Sequence, residues 1–345
     1  MKSLKIKWIV GIVIMIGAVA IVLNFFDFKK SDIHSPSTEL SVINYIPRDD
    51  DSAFLTQPRK ISFVDDTLIY VSDIINSKIM IFSINGDYLF SIGEKGHGPG
   101  EFMNQRNIIF DGDQIIVNDP RNRRIQFLDK QGKYISSFRT NYNISEIEIA
   151  NNSIFSFIEY DLFENVDQYP LITVFDYDGN IVNSFGSHLL ELPNAPSILS
   201  RCIFRVYKNK LFVLFKYYPI LHIYTLDGEL LAELRFENSE YKSLIEANYK
   251  KETFANPTHV TSRYLFFAFD VNTDGIFISV FTSDITIDQY DFDGNFVRRY
   301  YKKHNNRIIY VTDLRAIPNN YSDILFYVSQ LNGMPSVTTY GINVE

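Results

Sequence analysis

The stretch KIMIFSINGDYLFSIG, Lys78 to Gly93, holds two alternating apolar runs on either side of the dipeptide Asn85-Gly86. Alternation with a period of two marks a strand, and Asn-Gly between two such runs marks a hairpin. A tight turn demands a positive φ, which Asn tolerates and Gly adopts freely. The pattern returns as LDKQGKYISSF around Gln131-Gly132, FDYDGNIVNSFG around Asp178-Gly179, YTLDGELLAEL around Asp227-Gly228 and YDFDGNFVRRY around Asp293-Gly294. Successive turn glycines stand 46, 47, 49 and 66 residues apart. A four-stranded antiparallel sheet with its turns needs about 40 to 50 residues, so the period is that of a β-propeller blade.

Four strands can be read in each of the first two units. They are KISFV, TLIYVS, KIMIFS and DYLFSI in one, and NIIF, QIIVN, RIQFL and KYISSF in the next. The final segment, DILFYVSQLNGMPSVTTYGINV with IIYVTDLRAIP before it, supplies only three. LSVINYI, Leu40 to Ile46, alternates correctly to be the fourth, and closing the ring in this way removes open sheet edges that would aggregate. The expected fold is therefore all-β, a six-bladed propeller over residues 39–345 whose ring is closed by an N-terminal strand. The long spacing before Gly294 admits an insertion, SEYKSLIEANYKKETF, where Ser239 is placed to cap a short helix bearing Leu244, Ile245 and Tyr249.

Residues 1–30 read differently. From Trp8 to Phe26 the chain has nineteen residues without a charge, about 28 Å as a helix, which matches the thickness of a bilayer core. Lys2, Lys5 and Lys7 precede it, so the positive-inside rule puts the N-terminus in the cytoplasm and the rest beyond the membrane. A cleaved signal peptide ending at Ala18-Val19-Ala20 is the rival to an uncleaved single-pass anchor, and both export the propeller. Residues 31–38, polar and containing a Pro, read as a linker.

Composition narrows the function. The 345 residues carry 33 Lys and Arg against 41 Asp and Glu, a formal charge of −8. That argues against a general nucleic-acid binder, whose affinity rests on cations neutralising phosphates. Cys202 stands alone, so neither an intrachain disulfide nor a cysteine metal cluster can form.

VSDIINSKIMIFSINGDYLFSIGEKGHGPGEF, Val71 to Phe102, resembles the NHL repeat, in which an Asp and an Asn precede a strand, a hairpin follows, and a Gly-Pro-Gly-Glu-Phe connection ends the unit. VNDPRNRRIQFLDKQGKYISSF, Val117 to Phe138, is similar through Asp119, Asn122, Arg124 and Ile125, while the later units keep only the hairpin. The resemblance implies an interaction or ligand-binding scaffold for a protein, peptide or glycan. A minority of such relatives are lyases or lactone hydrolases that use a metal in the central channel.

The candidate site follows from the blade starts. Arg59 (PRKISF), Arg106 (QRNIIF) and Arg201 (SRCIF) stand where the innermost strands begin, with His259 near the same level, and these positions ring the mouth of the channel. Three guanidiniums in an acidic protein are suited to a carboxylate, sulfate or phosphate through forked hydrogen bonds. The alternative chemistry, metal-dependent, rests on His97, His188, His259 and His304 falling in connections on one face, without HExxH or GxSxG to accompany them. No cofactor is expected. The run Gly93 to Gly100 lacks the Lys-Ser/Thr of a phosphate loop and reads as a blade connection, and Asp73/Asn76 and Asp119/Asn122 read as turn-fixing pairs. Asp176 and Asp291 open calcium-like loops that lack the distal Glu.

Overall fold

The computed structural model of the chain describes residues 36–48, 54–65, 67–160, 168–189, 200–238, 241–242, 264–304, 309–318, 324–331 and 335–342. The apolar segment Trp8 to Phe26, the linker up to residue 35, His259 and nearly all of the insertion after Asn238 lie outside these residues. Among the described residues no helix is long and apolar enough to cross a membrane.

Twenty-four strands are present among the described residues. Blade one is β2 (Pro58–Val64), β3 (Leu68–Asp73), β4 (Lys78–Ser83) and β5 (Tyr88–Ile92). Blade two is β6 (Asn107–Asp111), β7 (Gln114–Asp119), β8 (Arg124–Asp129) and β9 (Tyr134–Arg139). Blade three comprises β10 (Ile144–Ala150), β11 (Ser153–Ile158), β12 (Ile172–Phe175) and β13 (Ile181–Phe185). Blade four comprises β14 (Cys202–Tyr207), β15 (Lys210–Phe215), β16 (Ile220–Thr225) and β17 (Leu230–Arg235). Blade five runs β18 (Phe266–Asn272), β19 (Gly275–Val280), β20 (Ile285–Tyr290) and β21 (Phe296–Lys302). Blade six takes β22 (Tyr310–Pro318), β23 (Ile324–Leu331) and β24 (Ser336–Ile342) from the end of the chain and β1 (Ser37–Ile46) from its beginning.

The first strands of the blades touch in cyclic order, β2 to β6, β10, β14, β18, β22 and back to β2, which makes them the inner wall of a six-membered ring. β1 pairs antiparallel with β24 from Leu40↔Ile342 to Ile46↔Val337. At Ser37 to Glu39 it also pairs parallel with β21, so blades five and six share one eight-stranded sheet.

The core is divided among the blade interfaces. Each of six apolar clusters joins two neighbours. Ile79, Ile81 and Ile92 of blade one, for example, pack on Ile108, Ile115 and Val117 of blade two. The middle strands are buried on both faces, which is why LIYVS and KLFVLF read as nearly continuous apolar runs. Outer strands expose half their residues, as at Leu89 and Phe90.

The hairpins correct one expectation. The turn amide of Gly86 bonds to the carbonyl of Ser83, and the amide of Ser83 bonds to the carbonyl of Asp87. The loop therefore has three residues and ends in a bulge. Gly132 repeats this between Asp129 and Lys133, and only the glycine, not the residue before it, has positive φ. A second constraint acts at Gly132. A Cβ there would lie 2.4 Å from Cγ2 of Ile92, at the end of the preceding blade's outer strand. At Gly86 the atoms in the way belong to Asn44, Tyr45 and Ile46, because β1 stands where the other blades have their fourth strand.

Candidate functional site

The Asp-x-x-Asn pairs do the first work of placing the site. Asp73, fully buried at the end of β3, accepts from the amides of Thr56 and Gln57 at 2.6 and 3.1 Å and from Asn76 Nδ2 at 3.1 Å. Asp119 does the same in blade two, holding the Met103 amide at 2.9 Å and Asn122 Nδ2 at 2.7 Å. Each Asp therefore ties down the loop that leads into the innermost strand of its own blade, just ahead of Arg59 and Arg106. The glycine-rich connection is likewise committed internally. Arg124 donates to the carbonyls of His97, Gly98 and Glu101, and the amides of Gly98 and Gly100 are taken by Glu101 and Gln126. It is a blade connection held by the side chains of Arg124, Glu101 and Gln126.

Above the inner strands lies a cavity of about 540 Å³, within the range of small-molecule sites. Arg59, Arg106 and Arg201 all line it. Ile61, Ile108 and Phe204 pair with Val71, Val117 and Val213, and counted back from them Arg59 and Arg106 match while Arg201 stands one residue further out. Lys95, Arg121 and Lys216 add three more cations to the wall, against the carboxylates of Glu146 and Glu159.

Glu159 organises two of the guanidiniums, 3.1 Å from Arg201 Nη2 and 3.6 Å from Arg106 Nη1. Arg201 Nη1 also donates to the Tyr264 hydroxyl at 3.1 Å. Arg59 has no ion-pair partner among the described residues and is half-buried. Lys216 Nζ sits 4.4 Å over the ring of Tyr264. Burial, followed by the charge of Arg59, pulls its amine down to about 7. The thiol of Cys202 moves the other way, pushed well above its ordinary value by burial and then by Glu146, so it is no nucleophile.

Below, the channel narrows to a cavity of about 10 Å³, the room of one water, sharing Arg59, Glu146, Ile203 and Lys216 with the upper one. Its floor is a charge network drawn from five blades. Lys60 Nζ meets Glu146 at 2.7 Å and Asp313 at 3.8 Å; Arg205 bonds Asp313 and lies 3.4 Å from Asp270, which Arg315 reaches at 3.3 Å. Asp313 also accepts from the Ile61 amide at 2.9 Å. Burial alone would raise its pKa, but Arg205, Lys60 and Arg315 outweigh that and hold it at about 2. Beneath the upper cavity the axis is thus crossed by charges of both signs that pair with one another.

Among the described residues, His97, His188 and His304 do not meet at a metal site. His97 Nδ1 lies 2.6 Å from Asn122 at the surface, and His188 packs beside the rings of Phe157 and Tyr160. Among the described residues no three His, Cys, Asp or Glu are placed to hold a metal. Asp176 and Asp291 accept from the amides and side chains of Asn180 and Asn295, which fixes their hairpins and lowers both carboxyl pKa values.

Glu159 and Lys216 escape a reading by motif. Both are the first residue after the second strand of a blade, where their amides bond back to Asn143 and Arg201 as Ile74 bonds to Gln57. That shared position, visible once the blades are aligned, was the available signal.

A family described as 6-bladed beta-propeller matches residues 20–319. The chain belongs to this family. Among solved structures, this propeller is similar to a protein of Bacteroides fragilis described as exported, with 11% identity, 89% of this chain and 95% of that one covered, and a TM-score of 0.58. A Bacteroides vulgatus protein matches at 12% identity and TM-score 0.52, over 89% and 98% of the two chains. Virginiamycin B lyase of Staphylococcus aureus matches at 12% and 0.51, over 89% of each. At these identities the likeness is one of fold.

Proposed function

We propose that this propeller is a membrane-anchored, extracytoplasmic binding scaffold, and that its ligand presents a carboxylate, sulfate or phosphate to the cavity at the channel mouth. One observation carries the ligand class. Six basic side chains, five of them Arg or Lys beside the depressed Lys216 amine, line a concave site with two carboxylates in a protein whose net charge is −8. Among the described residues Arg59, Lys95 and Arg121 have no carboxylate within ion-pairing distance, and a recessed site with one sign of charge concentrates the opposite ion. The NHL-like motif of blades one and two supports a recognition role, since its Asp residues hold the loops just ahead of Arg59 and Arg106. The charge-paired floor favours a ligand that enters end-on, with an anionic group leading and a peptide or glycan body outside.

Anchoring rests on Trp8 to Phe26 and the lysines before it. The Bacteroides fragilis relative, described as exported, agrees with that compartment. Proteinase added to spheroplasts, from which any outer envelope has been removed, should degrade a C-terminally tagged propeller while its N-terminus stays in the membrane fraction; protection of the tag would reverse the topology.

The ligand class is tested with inorganic sulfate and the Arg59→Gln/Arg106→Gln protein, which keeps the Arg201 to Glu159 contact. Sulfate raises the Tm of most proteins through exclusion from their surfaces, so the decisive quantity is the difference between the two proteins. Wild type should show an additional saturable rise and calorimetric binding that the double variant lacks. Identical titrations would sink the anion site.

A further inference from the structure

Lys216 is an unusual wall residue. It lines both the upper cavity and the small one beneath it, and so stands at the floor of the open site. Its backbone is pinned: the amide donates to Arg201 O at 2.8 Å, and its carbonyl accepts from Leu265 and Phe266 at 2.7 and 3.1 Å. Among the described residues no carboxylate is within ion-pairing distance of Nζ, and the nearby Glu146 is engaged at 2.7 Å by Lys60. The ring of Tyr264, 4.4 Å from the amine, covers one side of it and favours its ammonium form, which burial and the neighbouring cations oppose. The charges that bear on it are mainly cationic, Arg59, Lys60 and Arg201, with Glu146 opposing them.

A lysine needed only for charge would gain from a carboxylate partner or from water. This one is held where the ammonium form is disfavoured, next to guanidiniums suited to bind the carboxylate of a small molecule. We infer that Lys216 is a covalent capture site, whose amine forms a reversible imine with the carbonyl carbon of a small 2-oxo or aldehydo acid held by its carboxylate at Arg59. The inference rests on the anion reading of the cavity and adds the bond. The amine lone pair adds to the carbonyl carbon to give a carbinolamine. The carbonyl oxygen then leaves as water with both amine protons, and a C=N bond remains. No oxidant or further reactant is consumed, and water reverses the step.

Sodium glyoxylate is the probe, added with cyanoborohydride to the detergent-solubilised full chain at pH 7, with labelled lysines located by peptide mass mapping. An ordinary lysine is neutral in only about one molecule in a few thousand at this pH, whereas an amine near 7 is about half neutral. Carboxymethylation should therefore reach Lys216 at least tenfold faster than the exposed Lys210, and Lys216→Arg, which keeps the charge, should lose the fast phase. Arg59→Gln keeps the amine. Because it also removes a charge that holds the amine low, it should slow labelling by both carbonyls, and slow glyoxylate severalfold more than neutral acetaldehyde, the excess reporting the carboxylate contact. Labelling of Lys216 no faster than Lys210, while sulfate still binds, overturns the imine and leaves the anion site standing. Equal slowing of both carbonyls by Arg59→Gln, or slowing of neither, overturns the choice of an anionic ligand.

Discussion

Asp313 shows how much one side chain can carry in this ring. Its carboxylate joins Arg205, Lys60 and the Ile61 amide, linking blade six to blades four and one across the axis. Removing one member of a buried charge set leaves its partners uncompensated, so Asp313→Asn should cost about 3–5 kcal/mol in urea unfolding. The pH dependence has a definite sign. The folded carboxyl is held at about 2, below its ordinary 3.8, so it contributes stability that is complete above pH 4 and lost as pH falls toward 2. Wild type should lose stability over that window more steeply than Asp313→Asn, whose acid limb should be shallower. Equal slopes would mean that the network is not ionised as the geometry requires.

Among the elements, β1 bears the most weight for its length. It supplies the outer edge of blade six, pairs at its start with blade five, and gives Gly86 of blade one the surface on which its hairpin packs. Leu40 and Ile46 are both fully buried, in the clusters that join blade six to its two neighbours. Each Leu40→Ala or Ile46→Ala change should cost about 2–5 kcal/mol, and removal of residues 39 to 47 should destabilise the entire ring. A truncated protein that melts at the wild-type temperature would show that closure does not depend on this strand. The hairpins illustrate a different element-scale point. Asn-Gly and Asp-Gly were read as tight turns in which both residues could take positive φ, but the loops take a third residue. Only the glycine must then adopt positive φ, and the preceding position is free to be Gln131 as readily as Asp178.

For the whole molecule, the distribution of charge matters more than its sum. A protein of net charge −8 that gathers cations at one concave mouth should attract a small anion by steering, and screening weakens steering. The association rate of an anionic ligand should fall steeply from low salt to about 1 M, where the Debye length is ~3 Å, and stopped-flow measurements can follow it. A salt-independent rate would place the ligand elsewhere. The blade count and the closing strand were legible because a blade is a local object: each hairpin announces itself through a glycine and two alternating runs, and the period counts the copies. Arg59 and Arg106 were legible for the same reason, since repeated units bring corresponding positions to one axis, whereas Arg201 reaches the same cavity from one residue further out. Glu159, Lys216 and Tyr264 were not, because they follow strands or loops without a motif and become neighbours only when blades three, four and five meet around the channel. By itself the sequence determined the repeat, the ring and the level of the basic residues. Only the tertiary structure decided which charges are neutralised across the axis and which stay open to the cavity, because pairing between blades depends on distances that no spacing along the chain encodes.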